Sequence, residues 1–398
     1  MRVTRTLRAT AGAALTGALL LAASGTASAD QVRVDQWPLQ AFGAEQLWKQ
    51  ATGKGVKVAV LDSGFRETHQ DLTGQFLAGP DFAKSTMAAA SEHLKPNEDI
   101  RDHGTAMASI IAGHGHGPGG SKGIKGLAPD AKILPVPEYK NSGQATRWAV
   151  DHGADVINMS YGENIKAGDM CESIHYAVEK GVVVVAAAGN DGWSQKSYPV
   201  GCPGAIGVGA VDEYGASSDA NNYNSDMDLL APGKQIPSAM GKSDSDYKTS
   251  KGSSASSAYV SAAAALLKEK FPDLTPGQIA NRLVKTAGLS QAEKGKNLKL
   301  PDEHYGWGYI QPGPALRKDI PAGPAAGPLA MPKGKAPQQA VVPGADKGQD
   351  PDPPMGAKDK LMLYGGIGVG VLLVVGVVIT VMAIVRRRRE MAASRSWG

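Results

Sequence analysis

The run Val182-Val-Val-Val-Ala-Ala-Ala188, followed directly by Gly189-Asn190, decides the fold class of this chain. Seven apolar residues without polar alternation predict a strand that is buried on both faces of a sheet. Shorter apolar runs alternate with helical segments on either side of it, which favours an α/β fold with a mostly parallel central sheet flanked by helices. The predicted strands are 56–61, 132–136, 156–159, 182–188 and 205–211, and the predicted helices are 44–52, 105–113, 146–153, 171–180 and 255–270.

Three short motifs lie where these strands end or these helices begin, the edge at which parallel sheets gather their active residues. They are Asp62-Ser63-Gly64, His103-Gly104-Thr105 and Gly252-Ser253-Ser254. Each alone is typical of a turn or a helix cap. Together they provide a hydroxyl group, an imidazole that can take its proton, and a carboxylate that can orient the imidazole. The set therefore indicates nucleophilic catalysis by a serine.

Asn190, at the end of the most apolar strand, adds a fourth polar group. Its side-chain amide could donate a hydrogen bond to the oxyanion of a tetrahedral intermediate, beside the backbone N–H of Ser254. An asparagine in this position is equally typical of a turn after a strand. The sequence leaves both interpretations open.

Five motifs follow one another along the chain: Asp62–Gly64, His103–Thr105, Asn158-Met-Ser-Tyr-Gly162, Ala187-Ala-Gly-Asn190 and Gly252–Ser254. Taken as a set, they resemble those of the subtilisin-like serine proteases, peptidase family S8, over about residues 45–315. The order Asp, His, Ser along the chain is the subtilisin order and differs from that of chymotrypsin and of the α/β-hydrolases.

The resemblance implies a serine endopeptidase in which Asp62, His103 and Ser254 form the catalytic triad and Asn190 belongs to the oxyanion hole. It also implies a segment that pairs with the substrate backbone as an added strand. That segment is Ser160, Tyr161 and Gly162. An esterase or acyltransferase could use the same three side chains, but the order of the motifs favours a peptidase.

Several serines follow Gly252, so the nucleophile has to be chosen by register. The family pattern Gly-Thr-Ser-x-Ala-x-Pro-x-Val places a glycine two residues before the nucleophile and a valine six residues after it. Gly252 and Val260 satisfy this spacing for Ser254 and not for Ser253. Ser253 therefore takes the threonine position.

The chain departs from the family pattern at Ser256 and Ala258, which replace an alanine and a proline. Neither position supplies a catalytic group, and we expect activity to be retained. The sequence predicts no metal site and no cofactor, because no acidic cluster matches the family's calcium loops. The pair in His114-Gly-His116 lacks an evident third ligand.

The N-terminus predicts a secretory signal peptide over residues 1–29. Arg2, Arg5 and Arg8 precede a short apolar stretch, and Ala27-Ser-Ala29 ends it as a cleavage site. A permanent N-terminal anchor is the alternative, and the short apolar run speaks against it. Cleavage after Ala29 would leave Asp30 as the first mature residue.

The C-terminus predicts a membrane anchor. Residues 361–385 carry no charge, and a helix of that length reaches about 37 Å, enough to cross a bilayer with some tilt. Four arginines open the tail 386–398, which places the tail in the cytoplasm and the preceding chain outside. A buried helix of a soluble domain is the alternative. We interpret 319–360, rich in Pro and Gly, as a tether, and 30–318 as the peptidase domain with an N-terminal extension.

The charge distribution agrees with a membrane protein rather than a nucleic-acid-binding one. The net charge of +4 divides into +3 for residues 1–29, +4 for residues 361–398 and −3 for the middle of the chain. The basic excess therefore lies beside the two apolar segments. Cys171 and Cys202 both fall in the exported part, which predicts a disulfide rather than two free thiols.

The combination of signal peptide, tether, single membrane helix and short basic tail resembles the mycosins, which are membrane-anchored subtilases associated with type VII secretion in actinobacteria. The resemblance implies a peptide or protein substrate, a membrane location and a secretion complex as partner. It also leaves open a second function, that of a structural component of the complex with secondary or no proteolytic activity.

Overall fold

The computed structural model describes residues 31–91, 99–138, 140–164 and 168–331. The predicted signal peptide, most of the predicted tether, the predicted membrane helix and the basic tail lie outside these residues. Within them, no helix is both long and apolar enough to cross a membrane.

The centre of the fold is a six-stranded sheet in the order β4-β1-β5-β6-β7-β8, and every pair of neighbouring strands is parallel. Two small antiparallel hairpins, β2-β3 and β9-β10, lie outside it. The strands are β1 Lys57–Asp62, β2 His114–His116, β3 Lys122–Lys125, β4 Lys132–Pro137, β5 Val156–Met159, β6 Val183–Ala187, β7 Ala205–Val211, β8 Leu229–Pro232, β9 Ile236–Ala239 and β10 Tyr247–Ser250.

Helices cover both faces of this sheet. One face packs against α4 and α7, and the other against α5 and α6. The helices are α1 Trp37–Phe42, α2 Ala44–Leu47, α3 Ala83–Ser91, α4 Asp102–Ala112, α5 Ser142–Asp151, α6 Met170–Glu179, α7 Ser253–Lys270, α8 Pro276–Thr286, α9 Gln291–Lys294 and α10 Pro312–Arg317. The predicted α/β class with a parallel sheet is confirmed.

All five predicted strands belong to the sheet, but its sixth strand, β8, was not predicted. β8 reads Leu229-Leu-Ala-Pro232, four residues that end in a proline. Such a short run carries no periodicity, and proline is tolerated there because β8 lies at the sheet edge. The predicted helix 44–52 is shorter in the structure, where α2 ends at Leu47 and turns follow.

Residues before β1 are fastened to the domain by polar contacts. The Arg33 guanidinium donates to the carbonyl oxygens of Gly120 and Gly123 at 3.0 and 2.9 Å. Gln36 both donates to and accepts from the backbone of Lys125, at 2.9 and 3.0 Å. The Trp37 indole donates to the carbonyl of Lys234 at 3.1 Å. This N-terminal segment is therefore part of the folded domain.

The domain continues past Lys318, where the predicted tether begins. The Arg282 guanidinium donates to the carbonyl oxygens of Ala315 and Lys318, at 3.0 and 2.7 Å, and holds the end of α10 against α8. Leu329 is buried in the main core. The first part of the Pro- and Gly-rich segment therefore packs against the folded domain.

Asp228, just before β8, makes the stability of the fold depend on pH. Its carboxylate accepts a hydrogen bond from Gly207 N–H in β7 at 2.8 Å. Burial raises the pKa of Asp228 to about 7; the Gly207 bond opposes this shift, and the charge of Asp226 adds to it. Because the folded-state pKa exceeds the unfolded value near 3.9, the group's stabilising contribution is complete below about pH 4 and is lost as pH rises through 7.

We therefore expect Asp228→Asn to stabilise the domain increasingly as the pH rises from about 4 to about 7, and by a constant amount above that. The amide oxygen can still accept from Gly207, and no buried charge forms. Thermal unfolding should show equal stability at pH 4 and a gain of roughly 2–4 kcal/mol at pH 9. Asp273→Asn, which removes an exposed carboxylate, is the control and should show no such pH-dependent gap. A gain of equal size at both pH values would contradict the interpretation.

Candidate active site

The predicted site residues converge at the carboxyl edge of the central sheet. Asp62 is the last residue of β1, and Ser160 follows β5 directly. Asn190 comes shortly after β6. His103 and Ser254 are each the second residue of a helix, α4 and α7, that begins at this edge. The parallel direction of the strands is what brings residues so distant in sequence together.

Asp62 and His103 form a hydrogen-bonded pair. The Nδ1 atom of His103 lies 2.9 and 2.8 Å from the two carboxylate oxygens of Asp62. The Asp62 side chain is 4% exposed, and that of His103 is 43% exposed. The Ser63 N–H also donates to the Asp62 carboxylate at 2.8 Å. The carboxylate is thus held by the turn that follows β1, while the imidazole is partly open to solvent.

Gly104 allows α4 to approach this turn. A Cβ atom at Gly104 would lie 2.2 Å from the carbonyl oxygen of Gly64 and 2.9 Å from the Phe65 ring. Any side chain there would push the helix, and His103 with it, away from Asp62. Glycine is therefore required at position 104 for steric reasons.

The pKa of His103 is raised above its ordinary value. Burial acts most strongly and lowers the pKa, but the charge of Asp62 and its hydrogen bond together outweigh burial. Asp62 therefore stabilises the protonated, imidazolium form of His103, which is the form that a histidine acting as general base adopts during the reaction.

The two adjacent serines at the start of α7 have different surroundings. Ser253 is fully buried, whereas Ser254 is partly exposed. The Ser254 hydroxyl donates to the backbone carbonyl of Ser160 at 2.9 Å. Within the part of the chain that the structure describes, no hydrogen bond joins Ser254 to His103. A nucleophile has to be accessible to substrate, so the partial exposure of Ser254 agrees with the motif spacing that selects Ser254 over Ser253.

Ser253 orients Asn190, which the sequence did not reveal. The Asn190 side-chain oxygen accepts from Ser253 N–H at 2.8 Å and from the Ser253 hydroxyl at 3.2 Å. That hydroxyl in turn accepts from Gly189 N–H at 3.1 Å. With its oxygen engaged, Asn190 keeps its NH₂ group for donation elsewhere. Gly252 is required beside it, since a Cβ there would lie 2.6 Å from the Asn190 oxygen.

The segment predicted to bind substrate continues β5 beyond its last pair in the sheet, Met159 with Ala186. Tyr161 turns its hydroxyl away to donate to Ser142 at 3.1 Å, and burial, with the charge of Glu138, raises its pKa. Gly162 is exposed. The next residue, Glu163, forms an antiparallel bridge with Tyr198 through two backbone hydrogen bonds of 2.7 and 2.8 Å.

The predicted disulfide is confirmed: Cys171 in α6 is bonded to Cys202, and their Cα atoms lie 5.0 Å apart. The chain-entropy model assigns such a 31-residue separation roughly 3.5 kcal/mol of stabilisation. The bridge ties α6 to the segment that enters β7.

The histidines of His114-Gly-His116 have protein partners. The Nδ1 atom of His116 lies 2.6 Å from the carboxylate of Asp71, and Nε2 of His114 lies 3.0 Å from the carbonyl of Thr73. Among residues 31–91, 99–138, 140–164 and 168–331, no group of three or more His, Cys, Asp or Glu side chains could hold a metal ion.

This arrangement of motifs and geometry agrees with the family model that matches residues 53–308, described as the Subtilase family. The chain belongs to the subtilase family. The match spans well over half of the chain and includes Asp62, His103, Asn190 and Ser254.

Among sequence relatives, this subtilase is 34% identical over 297 residues to fervidolysin from Fervidobacterium pennivorans, a match that covers 65% of this chain and 41% of that protein. It is 35% identical over 240 residues to thermitase from Thermoactinomyces vulgaris, covering 58% of this chain and 81% of thermitase. The chain thus spans less than half of the fervidolysin sequence.

Among solved structures, this subtilase is similar to MycP1 from Mycobacterium smegmatis, with a TM-score of 0.59 and 28% identity over 76% of this chain and 89% of that one. It is also similar to the MycP3 protease from the type VII (ESX-3) secretion system, with a TM-score of 0.55 and 27% identity over 71% of this chain and 88% of that one.

Proposed function

We propose that this subtilase is a serine endopeptidase whose catalytic triad is Asp62, His103 and Ser254. The observation that carries the proposal is the Asp62–His103 pair at the sheet edge. Asp62 engages Nδ1 of His103, and this leaves Nε2 to take the Ser254 proton. The hydrogen bond to Asp62 supports the tautomer that a general base at His103 requires, with the proton on Nδ1.

In the proposed reaction, the Ser254 oxygen attacks the substrate carbonyl carbon while its proton passes to His103. Asn190 NH₂ and Ser254 N–H donate to the oxyanion, and His103 returns the proton to the departing amine. Water then hydrolyses the acyl-enzyme by the same base catalysis. Before substrate binds, the Ser254 hydroxyl donates to the Ser160 carbonyl. The hydroxyl must therefore rotate about the Cα–Cβ bond of Ser254 before its proton can pass to His103.

We also propose that the substrate is an extended peptide that adds a strand along Ser160, Tyr161 and Gly162. Ser160 and Gly162 continue the backbone of β5, and Gly162 is exposed. Backbone pairing of this kind binds many sequences with similar affinity and leaves selectivity to side-chain pockets.

We further propose that the domain is held outside the cell by a membrane helix at 361–385, after removal of residues 1–29, and that it acts with a type VII secretion complex. The apolar length and the flanking arginines support the anchor. The similarity to MycP1 from the ESX-1 type VII secretion system and to MycP3 supports the partner.

A second candidate is a structural component of that complex with little proteolytic activity. The resting hydrogen bond from Ser254 to Ser160, in place of one to His103, favours this candidate. So do Ser256 and Ala258, which depart from the family's nucleophile motif.

Labelling of intact cells with a membrane-impermeant fluorophosphonate probe tests both activity and topology. We expect a labelled protein that fractionates with membranes, because the probe reports an activated serine outside the cytoplasm. Labelling only after lysis would contradict the topology, and a labelled protein free in the medium would contradict the anchor. A folded protein that stays unlabelled in lysates would favour the structural candidate.

A further inference from the structure

Three serines of α7 lie on one stripe of the helix. Ser254, Ser257 and Ser261 are separated by three and four residues, a spacing that places side chains above one another on the same face. Ser257 and Ser261 are fully buried. A buried hydroxyl without a hydrogen-bond partner costs stability, so partners are expected opposite this stripe.

The partners are two residues of the β5 segment on the same side of the strand, Asn158 and Ser160. The Ser261 hydroxyl donates to the Asn158 side-chain oxygen at 3.0 Å. The Asn158 NH₂ group donates to the Ser160 hydroxyl at 2.9 Å. Asn158 is fully buried and Ser160 nearly so. A continuous polar chain therefore crosses the core between α7 and β5.

This chain ends on the backbone of Ser254. The hydroxyls of Ser160 and Ser257 each lie 2.9 Å from the Ser254 carbonyl oxygen and 2.9 Å from one another. Two hydroxyls have only two protons for these three contacts. The two protons can both reach the Ser254 carbonyl, or one can reach it while the other joins the two hydroxyls, so the carbonyl accepts at least one hydrogen bond in either arrangement.

Ser160 and Ser254 are also joined in the opposite direction, because the Ser254 hydroxyl donates to the Ser160 carbonyl. The two residues thus hold each other by both side chain and backbone. The orientation of the Ser160 hydroxyl depends in turn on the Asn158 NH₂ group, which occupies one of its lone pairs. Loss of that donor would let the Ser160 side chain rotate away from Ser254.

We infer that Asn158 is a positioning residue, which fixes the Ser254 backbone through Ser160 and thereby sets the approach of the Ser254 hydroxyl to His103. The inference rests on the proposed function. In the described structure the Asn158 side chain has no hydrogen bond to Asp62, His103 or the Ser254 hydroxyl, and it meets the substrate segment only at the Ser160 hydroxyl. Its effect on the nucleophile is therefore one of position. A displacement of about 1 Å at a nucleophile is enough to lower a rate on the order of a hundredfold.

Asn158→Leu tests the inference, because leucine fills a similar volume and offers neither donor nor acceptor. We expect kcat for a peptide substrate to fall about tenfold or more, while KM stays within about threefold. The rate of inactivation by a small fluorophosphonate should fall by the same factor as kcat. A purely structural role would lower the unfolding temperature and leave both rates of the folded enzyme unchanged.

Ser257→Ala and Ser256→Ala form a matched pair in case Asn158→Leu fails to fold. Both serines are fully buried in the same turn, but in the described structure the Ser256 hydroxyl bonds to the carbonyl oxygens of Pro232 and Gly252 and not to that of Ser254. Both changes should cost about 1 kcal/mol of stability. Only Ser257→Ala should lower kcat, by about threefold or more.

Unchanged kcat in both Asn158→Leu and Ser257→Ala, measured in an enzyme whose wild type reacts with the probe, would overturn the inference alone. An equal loss of kcat in Ser256→Ala and Ser257→Ala would overturn it as well, since the effect would then follow core packing. A folded wild type that never reacts with the probe would overturn the proposed function and the inference with it.

Discussion

Ser254→Ala abolishes fluorophosphonate labelling and lowers peptide hydrolysis by at least about a thousandfold, because the attacking oxygen is gone and only binding and oxyanion contacts remain. The fold should survive. Ser254 is partly exposed at the second position of α7, so the change leaves no buried cavity. Gel-based labelling, together with thermal unfolding of the same preparations, separates loss of the nucleophile from loss of structure.

Ser253→Ala is the matched control, since the two serines are adjacent and differ in burial. We expect it to retain labelling at a rate about tenfold lower, because Asn190 loses the Ser253 hydroxyl but keeps the Ser253 N–H as a partner. The opposite result, with labelling lost in Ser253→Ala and kept in Ser254→Ala, would show that the register of the nucleophile motif is wrong.

Asp62→Asn lowers kcat/KM by about 10⁴-fold with little change in folding. The amide can present an N–H to His103, which favours the tautomer that cannot accept the Ser254 proton at Nε2. It also removes the negative charge that stabilises the imidazolium. Steady-state kinetics on a single peptide would measure the loss, and a decrease below about tenfold would exclude Asp62 from the triad.

The residual activity of Asp62→Asn should also have a shifted pH profile. His103 must be neutral to accept a proton, so activity rises with pH through its pKa. Burial lowers this pKa, and Asp62 raises it by more. The acidic limb of the wild type should therefore lie above the ordinary histidine value near 6.5 and should move to lower pH in the variant.

Asp102→Asn is the control for this shift. The Asp102 carboxylate accepts from Gly241 N–H at 3.0 Å and pairs with Lys248 at 3.2 Å. It is adjacent to His103 in the chain but has no hydrogen bond to the imidazole. The acidic limb should stay in place when it is replaced, and an equal shift in both variants would indicate a general charge effect.

The parts of the fold that sequence predicts well are those where burial on both faces leaves only one interpretation. The run 182–188 is apolar throughout, and β6 occupies 183–187 at the centre of the sheet. β8 and the two hairpins escaped prediction because they are short and lie at the edge of the central sheet or outside it, where neighbours decide their conformation. The helix predicted at 44–52 was too long, since α2 ends at Leu47 and the backbone N–H of Thr52 then donates to the Glu269 carboxylate.

The candidate site also has a part that the sequence predicts and a part that it does not. Residue types at fixed spacing predicted the grouping of Asp62, His103, Ser254 and Asn190, because strand ends of a parallel sheet meet at one edge. The supporting contacts were not predicted. The contact of Ser253 with Asn190 and that of Asn158 with Ser160 depend on which faces of α7 and β5 meet. The sequence alone does not indicate which faces these are. The serine stripe at 254, 257 and 261 is the signal that could have suggested it.

The N-terminal segment imposes an order on how this domain can be assembled. Arg33 and Gln36 bind carbonyl groups near residues 120–125, Trp37 binds Lys234, and the turn at Thr52 donates to Glu269. These N-terminal contacts therefore form only after partners as much as 217 positions later have been synthesised. Contacts between residues so distant in sequence slow folding, and the bond to Glu269 cannot form before α7 has been synthesised. A recombinant domain cut at residue 53, the start of the family match, would lack the contacts that Arg33, Gln36, Trp37 and Thr52 make with the rest of the domain.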